Sequence, residues 1–167
     1  MSHEQATAPT TEVRHEIVVD AAVEDTFRVF AEMDRIKPRE HNLLAVPIEA
    51  TVVEPYVGGD IYDRGTDGST CRWGRVLAFD PPHRFVLSWD IGPDWRIVDD
   101  PARASEVEVL FTALPTEDGA TGPRTRVELT HRHLDRHGEG WQGVRQAVDN
   151  PQGWPLYLER LRAAVTG

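Results

Sequence analysis

The densest run of residues able to do chemistry is H-R-H-L-D-R-H, residues 131–137. Arg124 to Leu134 alternates apolar and polar side chains, which predicts a strand. On such a strand His131, His133 and Asp135 share the face of Val127 and Leu129, with His137 next in line. Side chains two apart on a strand start roughly 6.5–7 Å apart, near enough for both rings to reach one atom. Two chemistries follow. Both imidazoles can ligate one metal, with Asp135 as a further ligand. Alternatively His131 or His133 can act as general acid or base on a bound substrate. The plainer reading is a strand end, hydrogen-bonded locally near a cavity mouth, and it is preferred for one short cluster without a distant partner. His41 is the available partner, and nothing in the sequence places it nearby. No metal and no cofactor are therefore expected.

The second group is aromatic. Trp73, Trp89, Trp95, Trp141 and Trp154 are many for this length. As core they bury large areas. As pocket lining they hold a planar or apolar ligand. Trp89, Trp154 and Phe111 read as core or pocket wall. Trp95 falls in a loop and reads as a lid. Phe30, His41, Tyr62 and Trp73 complete the candidate ligand-binding set. Arg72 and Arg75 flank Trp73, so one of them faces inward or lies at a sheet edge. Inward, and with Tyr62, it would hold a carboxylate or phenolate. A surface salt bridge to Glu106 or Glu108 is the more ordinary expectation, because arginine is rarely buried. There is no nucleophile elbow, no phosphate-binding glycine loop and no C-x-x-C pair. Cys71 has no evident activating neighbour and reads as a small buried hydrophobe.

These residues need elements to position them. Residues 1–10 read as a disordered lead, and 11–167 as one domain. Thr11 to Val19 is a strand with Val13, His15, Ile17 and Val19 on one face. Asp20 is placed to cap a helix in which Val23, Phe27, Phe30 and Ala31 recur at helical spacing to about Met33. The charged piece that follows is broken by Pro38 and leads through a loop to Pro47. Strands are then expected over Ile48–Glu54, Asp60–Arg64, Cys71–Phe79, His83–Ile91 and Ser105–Leu114. Turns at Pro55–Gly59, Gly65–Gly68, Asp80–Pro82, 92–102 and 116–123 separate them. A short helix, Gly138–Asp149, stops at Asn150-Pro151.

Gly153 to Val165 reads as the helix on which the chain converges. Trp154, Leu158, Leu161 and Val165 make one apolar stripe, with Tyr157 and Ala164 beside it. Glu159, Arg160 and Arg162 take the other face, and Pro155 suits a first helical position. Short turns imply antiparallel neighbours. The expected fold class is therefore α+β: a curved antiparallel sheet of about seven strands against a C-terminal helix.

Composition narrows the function classes. A formal charge of −10 over 167 residues argues against nucleic acid and anionic membranes as partners. No apolar run approaches the ~20 residues of a membrane span, and the polar N-terminus lacks the apolar core of an export signal. One cysteine cannot form an internal disulfide, which fits a reducing cytoplasm. Lys37 is the only lysine among the basic residues.

Several stretches carry a resemblance. They are V-E-D-T-F-R-V-F in the first helix, V-G-G-D-I-Y before the first hairpin, and G-R-V-L-A-F-D-P-P-H-R-F-V-L-S-W. S-E-V-E-V-L-F, T-R-V-E-L-T-H and the closing G-W-x-x-Y-L-x-x-L continue it. Over about residues 12–165 the chain resembles the SRPBCC superfamily, the START-like helix-grip fold. Within it the chain looks most like homologues of the activator of heat-shock-protein-90 ATPase. The D-P-P-x-R-x-x-x-S-W stretch is the most specific part. The resemblance implies a sheet wrapped around a long C-terminal helix and, in most members, an apolar small molecule between the two. Some members are cyclases, hydrolases or co-chaperones. The leading expectation is thus a domain that binds a small hydrophobic or aromatic ligand. The alternatives are an enzyme acting on a polyketide-like or aromatic substrate and a chaperone-associated interaction module. A homodimer is compatible with the sequence.

Overall fold

A computed structural model of the chain describes residues 10–115 and 122–166. Residues 1–9 of the expected lead and most of the turn at 116–123 lie outside the described residues. The elements run β1 (Val13–Val19), α1 (Val23–Glu32), β2 (Ile48–Val53), β3 (Asp60–Gly65), β4 (Thr70–Asp80), β5 (Arg84–Trp89), β6 (Ser105–Ala113), β7 (Thr125–Arg132), α2 (Trp141–Asp149) and α3 (Trp154–Thr166). Two single 3₁₀ turns, Pro101–Arg103 and Leu134–His137, interrupt the connections.

The strands form one seven-stranded sheet in the order β1-β7-β6-β5-β4-β3-β2. Every pairing is antiparallel. Sequence neighbours pair because short turns join them, and β7 closes back on β1. Register shifts fall between Ile48 and Ala50, Ile61 and Tyr62, and Val76 and Ala78. Irregularities of this kind bend a strand and increase its twist, which curves the sheet around the helices.

Helix α1 starts differently from expectation. Its N-cap is Ala22, without a side-chain cap bond, and Asp20 lies outside the helix. Buried Thr26 instead bonds its hydroxyl back to the Ala22 carbonyl at 2.9 Å. Glu24 and Asp25 in the first turn complement the helix dipole. Met33 ends the helix in the left-handed region, its N–H returning to Phe30 and Val29.

The C-terminal helical segment comes in two pieces, broken at Asn150-Pro151. Gly153, just before the second piece, must be glycine because a side chain there would collide with the Ala147 and Val148 carbonyls. Trp154, Tyr157, Leu158 and Leu161 bury the inner face of α3, while Arg160 is half-buried rather than on the wet face. The helix packs against α1 and β1.

Candidate functional site

The inner face of the sheet has two ends. At one, α1 lays Phe27 and Phe30 over Phe79, Phe85 and Phe111. Ring centroids there lie 5.1–6.2 Å apart. At the other end the rings are indoles. Trp73 on β4 meets Trp89 on β5 at 5.7 Å, Trp89 meets Trp154 on α3 at 5.7 Å, and Trp154 meets Tyr157 at 4.9 Å. His41 continues the row, 5.7 Å from the Tyr157 ring. Edge-to-face geometry recurs among the indoles and Tyr157, as ring quadrupoles prefer.

This second end is not filled. A cavity of about 450 Å³ opens there, within the range for small-molecule sites. Trp73, Trp89, Trp154 and Tyr157 wall it on the sheet and helix sides, with Ala147, Val148 and Gly153 between. His41, Asn42 and Leu43 supply the side formed by the loop before β2. Trp95 stands at the rim, 47% exposed and in the left-handed region at φ 63°. Its turn is held by the Trp95 N–H on the Gly92 carbonyl and by the Ile91–Ile97 bridge.

Five of the expected ligand-binding residues, His41, Trp73, Trp89, Trp95 and Trp154, thus lie on the cavity wall. Phe30 and Phe111 belong to the solid phenylalanine end instead. Tyr62 is also off the wall: Ile61 and Asp63 take the buried positions of β3, which turns Tyr62 the other way. Neither flanking arginine enters the site. Arg72 pairs with Asp90 at 3.1 Å and Asp99 at 2.7 Å, and Arg75 with Asp99 at 3.3 Å. Glu106 and Glu108 pair elsewhere, with Arg132, Arg136 and Arg84. Cys71 is half-buried rather than buried, and burial raises its thiol pKa, which keeps it protonated.

The histidine cluster divides: His133 turns outward, while His131 and His137 meet on Ser105. β7 stops at Arg132, and His133 turns into the left-handed region at φ 62° as the cap of the following 3₁₀ turn. It is exposed, whereas His131 is fully buried. The expected shared face is therefore lost, because the strand ends one residue too soon. His131 Nδ1 accepts the Trp154 indole N–H at 3.0 Å. That fixes the proton on Nε2, which donates to Ser105 Oγ at 2.7 Å. The Ser105 hydroxyl then donates to His137 Nε2 at 2.7 Å. Each of these atoms is satisfied by another protein atom. Burial pushes the His131 pKa down to about 3, with His137 adding to it. Neither His131 nor His133 lines the cavity, and no group of three or more potential metal ligands forms among the described residues.

The polar groups that do face the cavity are different ones. His41 Nδ1 and the Tyr157 hydroxyl lie 3.0 Å apart. Burial, then the Lys37 charge, lowers the His41 pKa, so its ring is neutral near pH 7. Burial raises the Tyr157 pKa well above its ordinary value, so its hydroxyl keeps its proton. Next to them Lys37 and Asp63 form an ion pair at 3.1 Å, with side chains 6% and 4% exposed. Asp63 also accepts the Thr51 hydroxyl at 2.7 Å. Lys37 donates to the His41 carbonyl and lies 5.9 Å over the Trp73 ring. Burial lowers the Lys37 pKa, and Asp63 opposes that.

Comparison with known proteins places this geometry. A family model described as activator of Hsp90 ATPase homolog 1-like protein matches residues 20–166. The chain belongs to this family. An anthrahydroquino-gama-pyrone synthase, Txn09, solved in complex with SUM, is 38% identical at a TM-score of 0.62, over 92% of this chain and 96% of that one. The di-domain ARO/CYC BexL from the BE-7585A biosynthetic pathway is 17% identical at a TM-score of 0.51, over 95% of this chain and 52% of that one. A truncated norcoclaurine synthase from Thalictrum flavum is 12% identical at 0.51, over 98% of each. These last two share the fold alone. The chain matches no protein of curated function. No helix among the described residues is long and apolar enough to cross a membrane.

Within this Hsp90-activator-like frame, sequence reasoning missed Lys37, Asp63 and Tyr157. Two signals were available. Asp63 shares strand parity with inward Ile61, an anomaly for a carboxylate. Lys37 stands alone among arginines just before Pro38.

Proposed function

We propose that the protein binds a planar, polyketide-derived aromatic molecule in the indole-walled cavity and closes a ring on it by general acid–base catalysis. The observation that carries this reading is the neutral His41–Tyr157 pair set into the wall of that cavity. The 38% identity to a pyrone synthase supports the choice of reaction.

Two arrangements satisfy the pair. In one, the Tyr157 hydroxyl donates to His41 Nδ1. In the other, Nδ1–H donates to the Tyr157 oxygen, which leaves His41 Nε2 as a free base and the Tyr157 O–H as a free donor. The second arrangement is the reactive one. With an ortho-hydroxyaryl β-diketone, His41 Nε2 takes the phenol proton. The phenolate oxygen bonds to the distal carbonyl carbon, and that carbonyl's π pair moves to oxygen and takes the Tyr157 proton. Nδ1–H then returns a proton to Tyr157. Loss of the new hydroxyl as water, with the adjacent C–H proton, completes the γ-pyrone. The net change is loss of one water, with no oxidant or reductant. Indole walls lower the polarity around the anionic step, where fixed donors act most strongly.

The test is conversion of an ortho-hydroxyaryl β-diketone to its pyrone, followed by absorbance and mass spectrometry. Wild type is expected to accelerate closure, and His41→Ala and Tyr157→Phe each to lose about a hundredfold or more of that acceleration. Closure no faster than in buffer, or unchanged in both variants, overturns the reading.

A further inference from the structure

Lys37 has more hydrogen-bonding capacity than the protein uses. An ammonium carries three N–H donors. Asp63 and the His41 carbonyl engage two of them, the Trp73 ring lies 5.9 Å from the ammonium, and no third hydrogen bond to it forms among the described residues. The side chain is 6% exposed, so bulk water does not supply the missing partner freely. A buried donor without an acceptor is costly, and more so when charged. Lys37 also helps to form the wall of the cavity, beside the Trp73 ring, so an oxygen of a bound molecule can reach it there.

We propose that Lys37 is the oxygen-recognition group of the cavity, its third N–H binding a carbonyl or phenolate oxygen of the aromatic ligand. The inference rests on the ligand-binding part of the function proposed above and adds the ligand's chemical class. Three features limit that class. Asp63 already balances the Lys37 charge, so a neutral or singly charged oxygen fits better than a dianion. No arginine lines the cavity among the described residues, although Lys37 is the only lysine beside the arginines of the sequence, so a phosphate or sulfate has no bidentate partner there. The wall rich in indoles suits a flat, largely apolar ring system. A hydroxyaryl ketone or quinone satisfies all three. In the ring closure this contact would also hold the oxygen on which negative charge develops.

Because Lys37 is the only lysine, one isotope-labelled lysine gives one side-chain signal from the intact protein. The probes are ortho-hydroxyacetonaphthone and ethylnaphthalene, similar in shape but differing in oxygen content. Binding is read by quenching of the tryptophans. The expected result is that hydroxyacetonaphthone shifts the Lys37 Nζ and Cε signals, while ethylnaphthalene binds and leaves them in place. The paired variant K37M/D63N, which removes the ion pair without stranding either charge, should weaken hydroxyacetonaphthone about tenfold or more and ethylnaphthalene by less than about twofold. If both probes quench and the Lys37 signals stay fixed, the assignment of Lys37 falls and the binding cavity stands. If neither probe quenches, the binding reading itself falls. The wild-type spectrum decides the matter even if the paired variant does not fold.

Discussion

The two ends of the sheet's inner face are built from the same kind of material and finished differently. At the phenylalanine end, two rings from α1 interlock with three from the sheet, with no polar atom in any of the rings. At the tryptophan end, the rings carry N–H groups, and a cavity of about 450 Å³ remains. The Nε1 atoms of Trp73 and Trp89 are buried without an acceptor. Trp154, by contrast, is anchored through the His131–Ser105–His137 chain. A filled end stabilises the fold. An end with spare donors gives up some stability to hold open a shape, which is the usual mark of a site.

The difference can be broken from either side. Phe85→Ala should have the largest effect, costing about 3–5 kcal/mol in chemical denaturation because the ring is fully buried among others. Quenching by hydroxyacetonaphthone should survive in the folded fraction. Loss of that quenching would join the two ends into one functional unit. Asp63→Ala strands the Lys37 ammonium and should cost about 3 kcal/mol, with much of it restored in K37M/D63N. Equal stability of the single and paired variants would mean that Lys37 discards its proton instead.

Acid probes the anchored chain. His131 has a folded pKa of about 3 against an ordinary 6.5. The unfolded chain therefore binds the proton first. Stability from this group is complete above pH ~6.5 and is lost as pH falls toward 3. Between pH 6.5 and 5 the loss is about 2 kcal/mol. His41 and His137, also depressed by burial, add in the same direction. Denaturation at both pH values should show a smaller drop in His131→Gln, and identical drops would dismiss the histidine as its source. Ser105→Ala breaks the same chain more gently, at about 1–3 kcal/mol, by removing the partner of both rings. The smallest change in stability, about 1 kcal/mol or less, belongs to Tyr157→Phe. There the signature is lost ring closure with an almost unchanged melting temperature. A large drop in melting temperature would move Tyr157 from the site to the scaffold.

Alternation and periodicity alone determined the element order, the antiparallel sheet and the terminal helix. Those patterns are written in neighbouring residues: Val107, Val109 and Phe111 on one face, Trp154, Leu158 and Leu161 on another. Turn residues set the strand order for the same local reason. The aromatic content raised the expectation of a cavity, and five of the residues named for it lie beside the hollow at the indole end. Tertiary structure decided which end of the sheet stays hollow, because that depends on where α1 stops and how the Asn150-Pro151 break turns α3 over the indoles. It also decided the chemistry. His131 and His133 parted because β7 ends at Arg132, a one-residue matter that alternation cannot resolve. His41 and Tyr157 are 116 residues apart, and Lys37 and Asp63 lie on a turn and a strand that meet only across the fold. Pairings of that range carry no local signature, since their free energy comes from burial that exists only once the sheet has curved.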